Sequence, residues 1–146
     1  MSHIATFWRD LTALGGAAFY SLVVLFILLA GKQRLALLLV LGFIITMIVV
    51  VAIRLLYFKN RPQKQTYHNL LERIDAGSFP SWHTARILFL ALVLGESQGR
   101  MFMLFALAIA LAVAYSRVYL RKHDWWDVGG GVILGLVAYW ATTIFL

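Results

Sequence analysis

Apolar residues fill most of this chain in five long blocks, separated by short polar breaks. Residues 11–30, 35–57, 81–95, 101–119 and 128–146 carry almost no charge. A helix needs roughly 20 residues to cross the hydrocarbon core of a bilayer. Each block is near that length, the third being shortest. The pattern predicts an all-α integral membrane bundle of about five transmembrane helices, with residues 1–146 forming one domain. Gly31-Lys32-Gln33-Arg34 and Glu96-Ser97-Gln98-Gly99-Arg100 read as tight turns between blocks. Phe7, Trp8 and Arg9 suit a membrane interface.

The longest polar stretch is 58–80. Within it Tyr67, Leu70, Leu71 and Ile74 recur at helical spacing, and Gly77 ends the run. This predicts a short amphipathic helix lying on the membrane, a lid. A solvated connection accounts for the same spacing equally well. Phe79-Pro80-Ser81-Trp82-His83 follows. The residue before a proline is pushed extended, and serine is a good N-cap, so the third span should begin at Ser81.

Composition narrows the class. The chain is 62% hydrophobic and 13% charged, with a mean hydropathy of +0.85. Soluble domains are nearer half apolar and a quarter charged. The net charge of +7 comes from basic residues flanking apolar blocks, so anionic lipid head groups, not nucleic acid, are the expected partners. The chain has no cysteine, which excludes disulfides and thiolate metal sites. The N-terminus does not read as a cleavable signal: Arg9 is its single early cation, and the apolar run is too long.

Five crossings bring the ends of spans two and four and the starts of spans three and five to one face. That face collects Arg54, Arg61, Ser81, His83, Arg117, His123 and Asp127, while the other carries Lys32, Arg34, Glu96 and Arg100. Polar clusters at membrane depth are functional by default. Arg117 offers a planar fork of donors to an anion. His123 and Asp127 are four apart, on one face if helical, so the carboxylate can hold one imidazole nitrogen as N–H and free the other as nucleophile or base. The N-terminus at Ser81 supplies free N–H groups and a partial positive charge. Arg86, one turn past His83, is either a second anion contact or a snorkelling anchor. Trp125, Trp126, Tyr115, Tyr119 and Tyr57 look like an interfacial belt. Gly129, Gly130, Gly131 and Gly135 suit close helix packing. His3, His68 and Asp124 read as solvated.

Three motifs carry a family resemblance. They are Arg54, six residues, Arg61-Pro62; then Pro80-Ser81-Trp82-His83; then Ser116-Arg117, five residues, His123, three residues, Asp127. Together they resemble the type 2 phosphatidic acid phosphatase superfamily of membrane lipid phosphatases. Its signatures have lysine where Arg54 stands and glycine where Trp82 stands. Its members commonly have six spans, one more than counted here. The resemblance implies that His123 attacks phosphorus and carries a phosphohistidine, with Asp127 orienting it. His83 would protonate the leaving oxygen and later help activate water. Arg54, Arg61, Arg117 and Ser81 would hold the phosphoryl oxygens, and Trp82 would keep its N–H on the phosphate with its ring pointed away.

No metal or other cofactor is implied. Three arginines and a helix N-terminus can neutralise the equatorial oxygens in place of magnesium. Expected substrates are a lipid phosphate or diphosphate, polyprenyl diphosphate first, with phosphatidate or phosphatidylglycerophosphate as alternatives. Transfer to a lipid hydroxyl and non-catalytic lipid binding are further alternatives. The arginine count would put the active face in the cytoplasm, but phosphate binding accounts for several of those arginines. The resemblance implies an extracytoplasmic active face.

Overall fold

The computed structural model describes residues 3–63 and 65–145. Its helices are α1 (His3–Thr12), α2 (Ala17–Leu29), α3 (Gln33–Leu56), α4 (Leu70–Ala76), α5 (Trp82–Gln98), α6 (Arg100–Tyr119) and α7 (Trp125–Phe145), and the described residues form no strand. By length and composition α3, α6 and α7 can each cross a membrane. The expected span over 11–30 is corrected. A short 3-10 turn, Ala13–Gly15, interrupts it, and the segments on either side meet at 48°. Only if that bent pair counts as one span does the number reach four. Two adjacent glycines explain the break, since glycine disfavours helix interiors. Packing reinforces it: a Cβ on Gly15 would lie 3.1 Å from His83 Cβ.

At 17 residues, α5 is short for a span, and it forms the centre of the bundle. Ala85, Ile87, Phe89, Leu90, Ala91 and Val93 are all buried, so nearly every face of α5 meets protein. The outer helices show one face inward. On α3, Leu39, Gly42, Thr46, Val50 and Arg54 are buried at helical spacing, while Ile48 and Leu56 face outward. Two close approaches set the packing. The Phe89 ring occupies the place of a Gly42 side chain, with Cζ 2.0 Å from where a Cβ would stand. A Cβ on Gly131 would come 2.5 Å from the Ser81 carbonyl oxygen, so α7 lies against the start of α5.

The amphipathic helix expected in 58–80 is α4. Asn69 Oδ1 caps it by accepting from the Glu72 N–H at 2.8 Å, and Gly77 ends it. Leu70 and Leu71 are exposed, as suits a helix lying on a membrane. The aromatic belt is exposed on one side, with Trp126 at 82%. Trp8 on α1 stacks on Tyr115 and Tyr119, which ties α1 to α6.

Candidate active site

The three motifs converge where α3, α5, α6 and α7 meet the polar segments. The Ser81 N–H donates to the Asp127 carbonyl at 2.8 Å, joining the starts of α5 and α7. The Ser78 N–H donates to the Lys59 carbonyl at 2.9 Å, and the Gln63 N–H to the Arg121 carbonyl at 3.0 Å. The segments around 60, 78 and 121 are thereby fixed together. Ser81 holds the N-cap position of α5, but its side chain caps no backbone group; its Oγ accepts from Thr84 Oγ1 at 3.0 Å. The first N–H groups of α5 therefore stay available to an anion.

His123 is buried in the loop after α6. The N–H groups of Lys122 and His123 both donate to the Arg117 carbonyl, at 3.0 and 3.1 Å, folding the loop back over the helix end. His123 Nδ1 lies 3.6 Å from Asp127 Oδ2, long for a hydrogen bond but close for electrostatics. Burial pulls the His123 pKa down to about 4; the Asp127 carboxylate opposes this, and Arg117 and Arg61 reinforce it. At neutral pH the imidazole is uncharged and has a lone pair to offer.

Asp127 has 0% exposure and is braced on both oxygens. Oδ1 accepts from Lys59 Nζ at 2.8 Å and lies 3.4 Å from Ser78 Oγ. Oδ2 accepts from the Asp124 N–H at 3.0 Å, and Asp124 Oδ1 accepts from the Asp127 N–H at 3.0 Å. The exchange is a reciprocal capping box, with aspartate at both ends, that fixes the first turn of α7. Lys59 Nζ also bonds Asp124 Oδ2 at 2.6 Å. Burial works against the Lys59 charge, but bonds to the two carboxylates outweigh it and raise its pKa. No pattern in the chain marks Lys59, and Asp124, expected to be solvated, is instead a bonded partner.

The arginines also depart from simple anchors. Arg54 is 4% exposed; its guanidinium donates to the carbonyls of Ile74 at 2.8 Å and Pro80 at 3.2 Å. Arg61 bonds Gln65 Oε1 at 2.6 Å and the Asp75 carbonyl, and burial lowers its pKa. Arg117 donates to Thr12 Oγ1 at 2.9 Å. The snorkelling reading of Arg86 is overturned, because that side chain is buried. The Trp82 ring turns toward α3. It packs on Phe43, with centroids 5.8 Å apart, and lies 4.4 Å beneath the Arg86 guanidinium.

Among the described residues, the buried side-chain nitrogen and oxygen atoms without a partner are Nε of Arg54, Arg61, Arg86 and Arg117, Nε1 of Trp82 and Nδ1 of His123. All belong to this one neighbourhood. Leaving a buried donor without a partner costs about 1–3 kcal/mol, so these donors suit an anion. No group of three or more His, Asp or Glu side chains among the described residues is placed to hold a metal ion.

Comparison with known proteins agrees. The sequence matches the PAP2 superfamily over residues 36–146. The chain belongs to that superfamily, a class of integral membrane lipid phosphatases. The crystal structure of LpxE from Aquifex aeolicus is similar at TM-score 0.83 and 21% identity, covering 99% of this chain and 87% of that one. The first transmembrane PAP2 type phosphatidylglycerolphosphate phosphatase from Bacillus subtilis is similar at TM-score 0.79 and 24% identity, over 99% of this chain and 77% of that one. At these identities the likeness is one of fold. A search of curated proteins finds no match.

Proposed function

We propose that the chain hydrolyses a lipid phosphate or diphosphate through a phosphohistidine on His123, with polyprenyl diphosphate as the first candidate. The observation that carries this reading is the convergence of unpartnered buried donors on a neutral His123. His123 Nε2 attacks phosphorus while Nδ1 keeps its proton toward Asp127. That carboxylate stabilises the positive charge the ring gains. His83 protonates the leaving oxygen, then draws a proton from the water that splits the phosphohistidine. Arg54, Arg61, Arg117 and Ser81 hold the phosphoryl oxygens, and their charge does the work a metal does elsewhere. The name of the Bacillus subtilis neighbour favours phosphatidylglycerophosphate as a second substrate.

The test is phosphate release in detergent from a panel of lipid phosphates and diphosphates, with chelator present and acceptor lipids supplied or withheld. Wild type should release phosphate without an acceptor and without divalent ions. His123→Ala should lose about 10⁴-fold or more. Activity within tenfold of wild type in His123→Ala would end the phosphohistidine reading.

We place the active face outside the cytoplasm, with the Lys32 and Arg34 turn inside. Arg54, Arg86 and Arg117 on the active face are buried, so they say little about topology. In a chain without cysteine, Asn69→Cys should react with an impermeant thiol reagent added to intact cells. Labelling only after lysis would reverse the orientation.

A further inference from the structure

We propose that Trp82 and Arg86 form a second anion subsite, which receives the inner, lipid-borne phosphate of a lipid diphosphate while the outer phosphate passes to His123. This rests on the phosphatase reading and names its substrate class. Neither side chain belongs to the family motifs: Trp82 fills a motif position where glycine is usual, and Arg86 lies beyond the second motif.

Arg86 is 4% exposed, donates no hydrogen bond to the protein and has no carboxylate partner among the described residues. Its guanidinium lies 4.4 Å from the Trp82 ring and 5.7 Å from that of Phe43. Those rings fix its plane but leave its donor edge free. Trp82 Nε1 is a second buried donor without a partner, on the adjoining turn. Two unpartnered donors from one helix, one of them charged, suit a phosphate. Arg86 interacts electrostatically with His83 and Arg117, two residues of the proposed phosphoryl site.

Depth selects which phosphate it is. His123 sits in the loop beyond α6, His83 in the first turn of α5, and Arg86 three residues further along α5. At ~1.5 Å per residue, the Arg86 Cα lies about 4.5 Å further along α5 than the His83 Cα. Below it α5 presents Ile87, Leu90 and Leu94, which line an apolar cleft of about 300 Å³ with Leu14, Phe19 and Val23. A lipid diphosphate has the same order along its length: outer phosphate, inner phosphate, apolar tail. A monophosphate would set its tail against the Arg86 charge.

In the reaction, the His123 Nε2 lone pair bonds to the outer phosphorus as the bond from that phosphorus to the bridging oxygen breaks. The electron pair stays on the bridging oxygen. That oxygen becomes a terminal oxygen of the departing lipid monophosphate and adds a negative charge beside Arg86. Water oxygen then bonds to the phosphorus of phosphohistidine, inorganic phosphate leaves, and the nitrogen recovers its pair.

The experiment compares farnesyl diphosphate with farnesyl monophosphate, using wild type, Arg86→Met and Trp82→Phe in detergent. Arg86→Met should lower kcat/KM for the diphosphate at least tenfold more than for the monophosphate. Trp82→Phe, which loses one donor but keeps the ring, should shift the ratio the same way by a smaller factor, and it carries the comparison if Arg86→Met does not fold. Equal losses on both substrates, or a wild type that accepts only the monophosphate, would overturn the subsite. Release of phosphate from neither substrate would instead fail the phosphatase reading. Heat stability then decides the subsite alone. Inorganic pyrophosphate should raise the wild-type Tm more than phosphate does, and Arg86→Met should abolish the difference. The same response in both proteins would overturn the proposal.

Discussion

His83 lies in the first turn of α5 and His123 in the loop after α6, and the protein treats them differently. Behind His123, both carboxylate oxygens of its neighbour Asp127 are already engaged. Asp127 is held by Lys59, by the Asp124 N–H and near Ser78, and the loop is folded onto the Arg117 carbonyl. Around His83 the side chains are packed, and apart from the Thr84–Ser81 bond they are not hydrogen-bonded. The His83 backbone leans on Gly15, and its neighbours Trp82 and Arg86 keep donors in reserve. A group that must hold one geometry through the reaction gains from partners inside the protein. Groups that meet charge on a substrate gain from having none. In the proposed mechanism, the difference would separate a preorganised nucleophile from a receptive leaving-group side.

The largest effect that probes this contrast is on the open side. A general acid contributes about 10²–10⁴-fold, most for a poor leaving group. A monophosphate ester expels a lipid alkoxide, which badly needs a proton. A diphosphate expels a lipid phosphate, already a good leaving group. His83→Ala should therefore slow phosphoenzyme formation on a lipid monophosphate by about 10²-fold or more, and on the diphosphate by clearly less. Single-turnover rates, with His123 intact, give the comparison directly. Equal slowing on both substrates would make His83 a phosphate-binding residue and remove the acid from the mechanism.

What could be read in the sequence follows the same division. The motif residues are legible because rare polar groups stand at fixed short spacings between apolar blocks. The helix over Leu70–Ala76 is legible from its period and its terminal glycine. Lys59 was not, because its partners lie 65 and 68 positions away, and a lysine in a polar loop looks like any solvated cation. Nor does the sequence say which way the Trp82 ring turns, since that depends on the space beside Phe43. The break in the first block has a signal in the Gly15-Gly16 pair, which lies inside an apolar run long enough to span a bilayer. Long-range pairing and side-chain direction are what a pattern of spacings does not contain.

The smaller effect is on the braced side, at Lys59. It touches no reacting atom, so it acts as a positioning residue, through Asp127. With Lys59 in place, its ammonium offsets part of the Asp127 charge that His123 feels. Without it, the carboxylate draws a proton onto His123 more strongly. Lys59→Met should lower kcat/KM about tenfold, in line with the loss of an orienting partner. It should also move the acid limb of the kcat/KM profile, which reports the free enzyme. In wild type that limb should lie near pH 4, because His123 protonates only as the pH falls toward about 4. The sign follows from the lost positive charge: the His123 pKa rises, and the limb shifts upward by about one unit. Lys59→Arg, which keeps the charge, should return the limb most of the way. A purely structural role would lower the rate and leave the limb where it was. That outcome would assign the bracing of Asp127 to the Asp124 capping box alone.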